Sequence, residues 1–179
     1  MDERSLTAEG LKNVFWGEIV AICAVIPVIG VIAGIAGLVL SILGFVKLSR
    51  VSPSYQMAFA FEVSNLVVSA MKAVITTGFL ASALQIASSL LGLAVVYYVC
   101  RGTAEQLSGI RMDLTQKAHT IWILYLISTI VMIVCTLFLI VPFINIAAVL
   151  LMAIMAIVQL AAAIMYLIFL WNSYKALIW

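Results

Sequence analysis

Two polar breaks, 47–54 (KLSRVSPS) and 101–117 (RGTAEQLSGIRMDLTQK), divide an otherwise apolar chain into stretches of roughly 14–46, 55–100 and 118–174. Nothing else in the sequence constrains the fold as much. A helix crosses a bilayer in about 20 residues at about 1.5 Å rise each, and these stretches hold 33, 46 and 57 residues. The second and third must turn back within themselves, and the first is expected to do the same. A soluble core cannot absorb this much apolar side chain. Hydrophobic residues make up 66% of the 179 and charged residues 9%, against about half and about a quarter in ordinary soluble domains. A chain of this length still leaves about a third of its unfolded surface exposed, so bilayer lipid is the solvent that accepts it.

The breakers indicate where the stretches turn. Pro27 lies in Ile26-Pro27-Val28-Ile29-Gly30, and Pro142 in Val141-Pro142-Phe143-Ile144-Asn145. Proline removes a backbone donor and ends or kinks the preceding helix, and Gly or Asn three residues later suits the start of the next one. Both segments read as tight helical hairpins, and their likeness is of the kind an internal duplication leaves. In the middle stretch Thr76-Thr77-Gly78 is the best turn. The expected fold is all-α: one polytopic transmembrane bundle over 1–179, with six helices at about 6–26, 30–49, 55–76, 79–101, 115–141 and 145–175. A count of four or five is the alternative, with 14–46 kept as one kinked helix. The first helix is the weak member, because its apolar part, Val14–Ile26, is short and contains Glu18; it either crosses with protein around it or lies at the interface.

Six helices also sort the cations. With a cytoplasmic N-terminus, Arg4, Lys12, Lys47, Arg50, Arg101, Arg111, Lys117 and Lys175 fall on the cytoplasmic side and only Lys72 falls toward the other, as the positive-inside rule requires. Both termini are then cytoplasmic. Trp16, Tyr97, Tyr98, Trp122, Trp171, Tyr174 and Trp179 sit near the same ends, as interfacial anchors. The charged first 18 residues do not read as a signal peptide. Asp2 is not the glycine that N-myristoylation requires and Lys-Ala-Leu-Ile-Trp is not a prenylation box, so neither modification is expected. A net charge of +2 is too small and too dispersed for nucleic acid to be a partner.

Two seams stand out. In the second helix Gly30, Gly34, Gly37, Ser41 and Gly44 step by 4, 3, 4 and 3. Small residues in one stripe let backbones approach closely where lipid offers no hydrophobic drive. The stripe is expected to pack within the chain, with a homo-oligomer contact as the alternative. In the third helix Glu62, Asn65, Ser69, Lys72 and Thr76 step by 3, 4, 3 and 4, and Ala58 extends the row. Ionisable groups in a span cost about 3 kcal/mol each on insertion scales and face the interior or water. The row is therefore a polar path or substrate site with Glu62 as its acid. Alternatively, Lys72 snorkels to the far interface while Glu62 sits near the headgroups beside Lys47 or Arg50. Glu18, Gln85, Ser88, Ser128, Thr129, Thr136 and Gln159 are further polar groups at membrane depth, expected mainly to hydrogen-bond between helices.

Catalytic chemistry is thin. His119 is the one histidine. No zinc motif, nucleophile elbow or phosphate-cradling glycine loop occurs, so neither enzyme activity nor a cofactor or metal is expected. Cys23, Cys100 and Cys135 read as reduced, buried small hydrophobes. The segment 101–117 reads as a solvated connector. Leu107, Ile110 and Leu114 would allow a short interfacial helix there, and its mixed charges are suited to a docked partner.

The segment Gly44–Phe59 (GFVKLSRVSPSYQMAF), the run Tyr97–Leu107 and the hairpin Pro142–Asn145 resemble those of small multi-span membrane proteins of Gram-positive, clostridia-like bacteria. That group has no assigned activity. The resemblance implies a bacterial plasma membrane and adds no site residues.

Two functions remain on these grounds. The first is a structural or accessory membrane subunit whose helix faces serve the lipid bilayer and another membrane protein or a second copy. The second is a small transporter or channel using the polar row of the third helix with Glu18, Gln85 and Gln159.

Overall fold

The computed structural model describes residues 3–23, 30–138 and 145–178, with the side chains of 145 and 146 excepted. Within them the chain is all-helical, in six helices: α1 (Glu3–Ile22), α2 (Gly30–Leu48), α3 (Pro53–Val74), α4 (Gly78–Leu107), α5 (Met112–Phe138) and α6 (Asn145–Ile178). α2 to α6 are each long and apolar enough to cross a membrane. α1 is not, in keeping with its charged first half. The five apolar helices make this a multi-pass membrane protein.

Local chemistry explains the helix ends. Ser52 caps α3 by accepting from the Tyr55 amide, and Pro53 occupies the first turn, where its missing N–H costs nothing. Between α3 and α4 the chain turns at 75–77. Gly78 then takes φ +83°, a conformation open to glycine and strained for other residues. The turns expected at Pro27 and Pro142 lie outside the described residues. Gly30 and Asn145 are the first residues of α2 and α6.

The segment 101–117 differs from expectation. α4 runs on to Leu107, α5 begins at Met112, and only 108–111 lie between them, with Gly109 at φ +99°. Leu107 and Leu114 are the reason: both are fully buried, so this stretch is two amphipathic helix ends rather than a solvated connector. Its charges serve one another. Arg101 bonds Glu105 at 3.0 Å, and Arg111 grips Asp113 through two nitrogens at 2.8 and 3.0 Å.

Helices adjacent in sequence pack as hairpins, α1 with α2, α3 with α4 and α5 with α6; α4 also packs on α5, and α6 on α1. α2 and α3 touch only lightly. The α1–α2 contact is the closest. Gly37 and Gly44 of the small-residue stripe meet α1 backbone at Gly17, Ala21, Gly10 and Val14. Gly17 faces Ser41, and Gly10 faces Leu48. The Gly37, Ser41 and Gly44 part of the stripe is thus covered from within the chain, by a matching α1 row of Gly10, Val14, Gly17 and Ala21. That row went unread behind the charges around it.

Close packing is concentrated at the end carrying both termini. Leu11, Phe45, Leu48, Tyr55, Val99, Leu107, Leu114, Ile121, Phe169 and Leu170 form the core there. Phe61 stacks on Tyr98, Phe15 meets Trp171 and Tyr97 meets Trp122 at 5.5, 5.0 and 4.9 Å between ring centres. Tyr55 and Thr103 hydrogen-bond at 2.9 Å within the core. Cys100 and Cys135 are buried as expected, whereas Cys23 is exposed. It follows the last turn of α1, beyond the contact with α2 that covers Gly17.

Candidate functional site

Above this packed end the helices border a partly open cavity of about 430 Å³. Five helices line it. α1 contributes Glu18 and Ile22, and α3 contributes Glu62 and Asn65. α4 supplies Ser88, Ser89 and Gly92, α5 supplies Tyr125 and Thr129, and α6 supplies Gln159 and Tyr166. Val95, Val96 and Leu167 complete the wall beside the core. α1 and α3 meet across this space rather than packing against each other.

The two carboxylates come from different helices yet border the same cavity, near enough for the charge on one to act on the other. Their placement follows from the packing. Gly10 and Gly17 turn one side of α1 to α2, which leaves Glu18 on the side facing the bundle centre. On α3, Tyr55 and Ala58 are fully buried, and Glu62 and Asn65 follow them up the same face. Among the described residues no Lys, Arg or His lines the cavity. Among the described residues neither Glu18 nor Glu62 has an ion-pair partner. Lys47, considered above as a neighbour of Glu62, instead binds Glu9 at 2.7 Å.

The remaining polar groups divide between the cavity wall and their own helices. Ser88 donates to the Asn65 side-chain oxygen at 2.9 Å across the α3–α4 interface. Ser89, Ser128 and Thr136 bond carbonyls of their own helices, at Gln85, Tyr125 and Met132. Tyr125 and Tyr166 meet edge to face, with ring centres 6.3 Å apart.

The helix 3 row divides at Asn65. Glu62 and Asn65 line the cavity; Ser69 and Thr76 are exposed and Lys72 is half-buried, all three away from the cavity lining. Opposite Asn65 the α4 lining of the cavity ends at Ser88. Gln159 and Glu18 join the site. Gln85 lines a separate 230 Å³ space with Met132, Thr136 and Met152. Tyr125 and Tyr166 are the site residues that sequence reasoning missed. A tyrosine about one turn inward of the Trp122 and Trp171 anchors was the available signal.

Among the described residues no group of three or more His, Cys, Asp or Glu is placed to hold a metal ion. The cavity instead combines two carboxylates, amide and hydroxyl acceptors and two aromatic rings in a volume suited to a small organic molecule. Comparison with family models, with curated proteins and with solved structures finds no match to this chain.

Proposed function

We propose that this chain is a small membrane transport protein that takes up an organic cation, such as a substituted ammonium, in the cavity bordered by Glu18 and Glu62. The observation that carries the reading is the pairing of two carboxylates, with no basic residue, on a 430 Å³ cavity inside an apolar bundle. Ionisable groups at such depth are expensive and are kept where they meet substrate, ions or protons. A cation entering between them offsets that cost. Tyr125 and Tyr166 supply ring faces that attract a cation. Asn65, Ser88 and Gln159 supply oxygens to orient it. A bare metal ion fits less well, since it needs about six or more close oxygen ligands and the cavity is wide.

The accessory-subunit reading loses much of its best surface, because Gly37, Ser41 and Gly44 of the α2 stripe are covered by α1. Binding and passage, rather than catalysis, is the activity inferred. With both termini cytoplasmic, the packed core would seal the inner side of a plasma membrane and the cavity would lie beyond it.

The test is equilibrium dialysis of radiolabelled benzyltrimethylammonium against the protein in nanodiscs, with benzyl alcohol as the uncharged control. Saturable binding of the cation is expected. Glu18→Gln and Glu62→Gln should each weaken it by about tenfold or more, the usual scale for removing a desolvated charge partner. Equal binding by the wild type and both variants would sink the reading. Saturable binding of benzyl alcohol alone would leave a cavity but remove its charge selectivity.

A further inference from the structure

A second recess, of about 490 Å³, lies at the end of the bundle that carries the termini. Ile110 and Arg111 reach it from the α4–α5 turn, Leu114 and Lys117 from α5, and Asn172, Lys175 and Ala176 from α6. Three cations from three elements therefore converge on one hollow. Asp113 is held by Arg111 through both carboxylate oxygens, at 2.8 and 3.0 Å, which leaves that guanidinium largely neutralised. Lys117 and Lys175 have no carboxylate partner among the described residues. The Lys175 ammonium rests over the Trp171 ring, 5.1 Å from its centre, and the residue also lines the recess. The excess charge here is positive, and the Asn172 amide adds a donor.

The surroundings specify the kind of anion. Trp171, an amphipathic ring of the type that sits at headgroup level, lies under the Lys175 ammonium. Ile110, Leu114 and Ala176 give it an apolar side. The outer faces of α5 and α6 expose Ile127, Ile130, Ile164 and Ile168, apolar surface of the kind that acyl chains cover. Cations at this level are attracted to anionic headgroups, and a hollow lined by two unpaired lysines, an amide and apolar side chains matches a phosphodiester joined to a glycerol backbone.

We propose that the recess between Lys117 and Lys175 is a binding site for the phosphate headgroup of an anionic phospholipid. The site is independent of the Glu18–Glu62 cavity and would hold the α4–α5 turn against the end of α6.

Native mass spectrometry of the full chain released from mixed phosphatidylglycerol and phosphatidylcholine nanodiscs tests it. Phosphatidylglycerol should be retained in preference to phosphatidylcholine. The double variant Lys117→Gln/Lys175→Gln should lower that retention by roughly tenfold or more, as expected from two cations near a lipid phosphate. Lys72→Gln, at the other end of the bundle, should leave it unchanged. Both lysines of the recess are exposed, and circular dichroism is to show that the double variant is folded before its lipid retention is compared. Equal retention of the two lipids, or equal retention by wild type and double variant, would overturn the proposal. Displacement of the bound lipid by inorganic phosphate alone would also overturn it, in favour of a soluble phosphate ligand.

Discussion

Gly37 of α2 lies against the backbone of α1 so closely that a Cβ added to it would stand 2.8 Å from the Gly17 carbonyl oxygen. Backbone is what it would meet, and backbone cannot rotate away as a flexible side chain can. Gly37→Val should therefore destabilise the protein by about 1–3 kcal/mol or more, the usual range for overpacking a tight interface. Thermal unfolding in detergent reads the effect. Gly92→Ala is the control, because nothing lies within 4 Å of its added Cβ. A Gly37→Val melting curve that overlays the wild type would mean that α1 and α2 do not meet in this way.

Tyr55 and Thr103 share a hydrogen bond at 2.9 Å, with both residues 0% exposed. Tyr55→Phe leaves the Thr103 hydroxyl buried without that partner. A cost of about 1–2 kcal/mol follows from the desolvation of the orphaned group. Adding Thr103→Val removes the orphan, so the double variant should recover part of the loss. A fully additive pair in denaturation midpoints would show that the two hydroxyls do not bond.

Much of this fold was readable from local chemistry. Pro53 after Ser52, Gly78 after two threonines and the long apolar runs between them place helix ends to within a few residues, because each acts through its own backbone. The extension of α4 to Leu107 and of α5 back to Met112 was not readable. Arg101, Glu105, Arg111 and Asp113 mark that segment as aqueous, while the burial of Leu107 and Leu114 that makes it helical depends on tertiary contacts. Spacing also showed that Glu62 and Asn65 share a face. It could not show that Glu18, Gln159 and Tyr166, each on a separate helix, turn toward the same space. Periodicity assigns residues to faces, and only the arrangement of helices decides which faces converge.

Glu9 provides a pH signature outside the spans. The Lys47 ammonium, hydrogen-bonded at 2.7 Å, holds its carboxyl below the usual carboxylate range, and the Lys12 charge adds to this. A carboxyl whose pKa is lower in the folded state contributes stability above its unfolded value. That contribution is lost as pH falls through the folded value. Thermal stability should therefore drop more steeply on acidification in the wild type than in Glu9→Gln, with the two alike in their other acid-dependent losses. Both groups are solvent-accessible, so the difference should be small and should shrink at high salt. Identical acid profiles for the two proteins would mean that the α1–α2 ion pair does not form.

Gly92 separates the shape of the cavity from its charge. It lines the same space as Glu18 and Glu62, and a side chain grown from it meets nothing within 4 Å. Gly92→Leu should therefore place its side chain in the cavity while leaving both carboxylates intact. Replacing glycine inside a helix favours the folded state, so the melting temperature should hold or rise. Benzyltrimethylammonium binding should fall by about tenfold or more if the cation occupies this cavity, because steric exclusion costs more than a single lost contact. Retained binding in Gly92→Leu together with lost binding in Glu62→Gln would place the cation at the carboxylate but outside the cavity. Loss in both, with folding preserved, requires a ligand that occupies the volume and meets the charge at once.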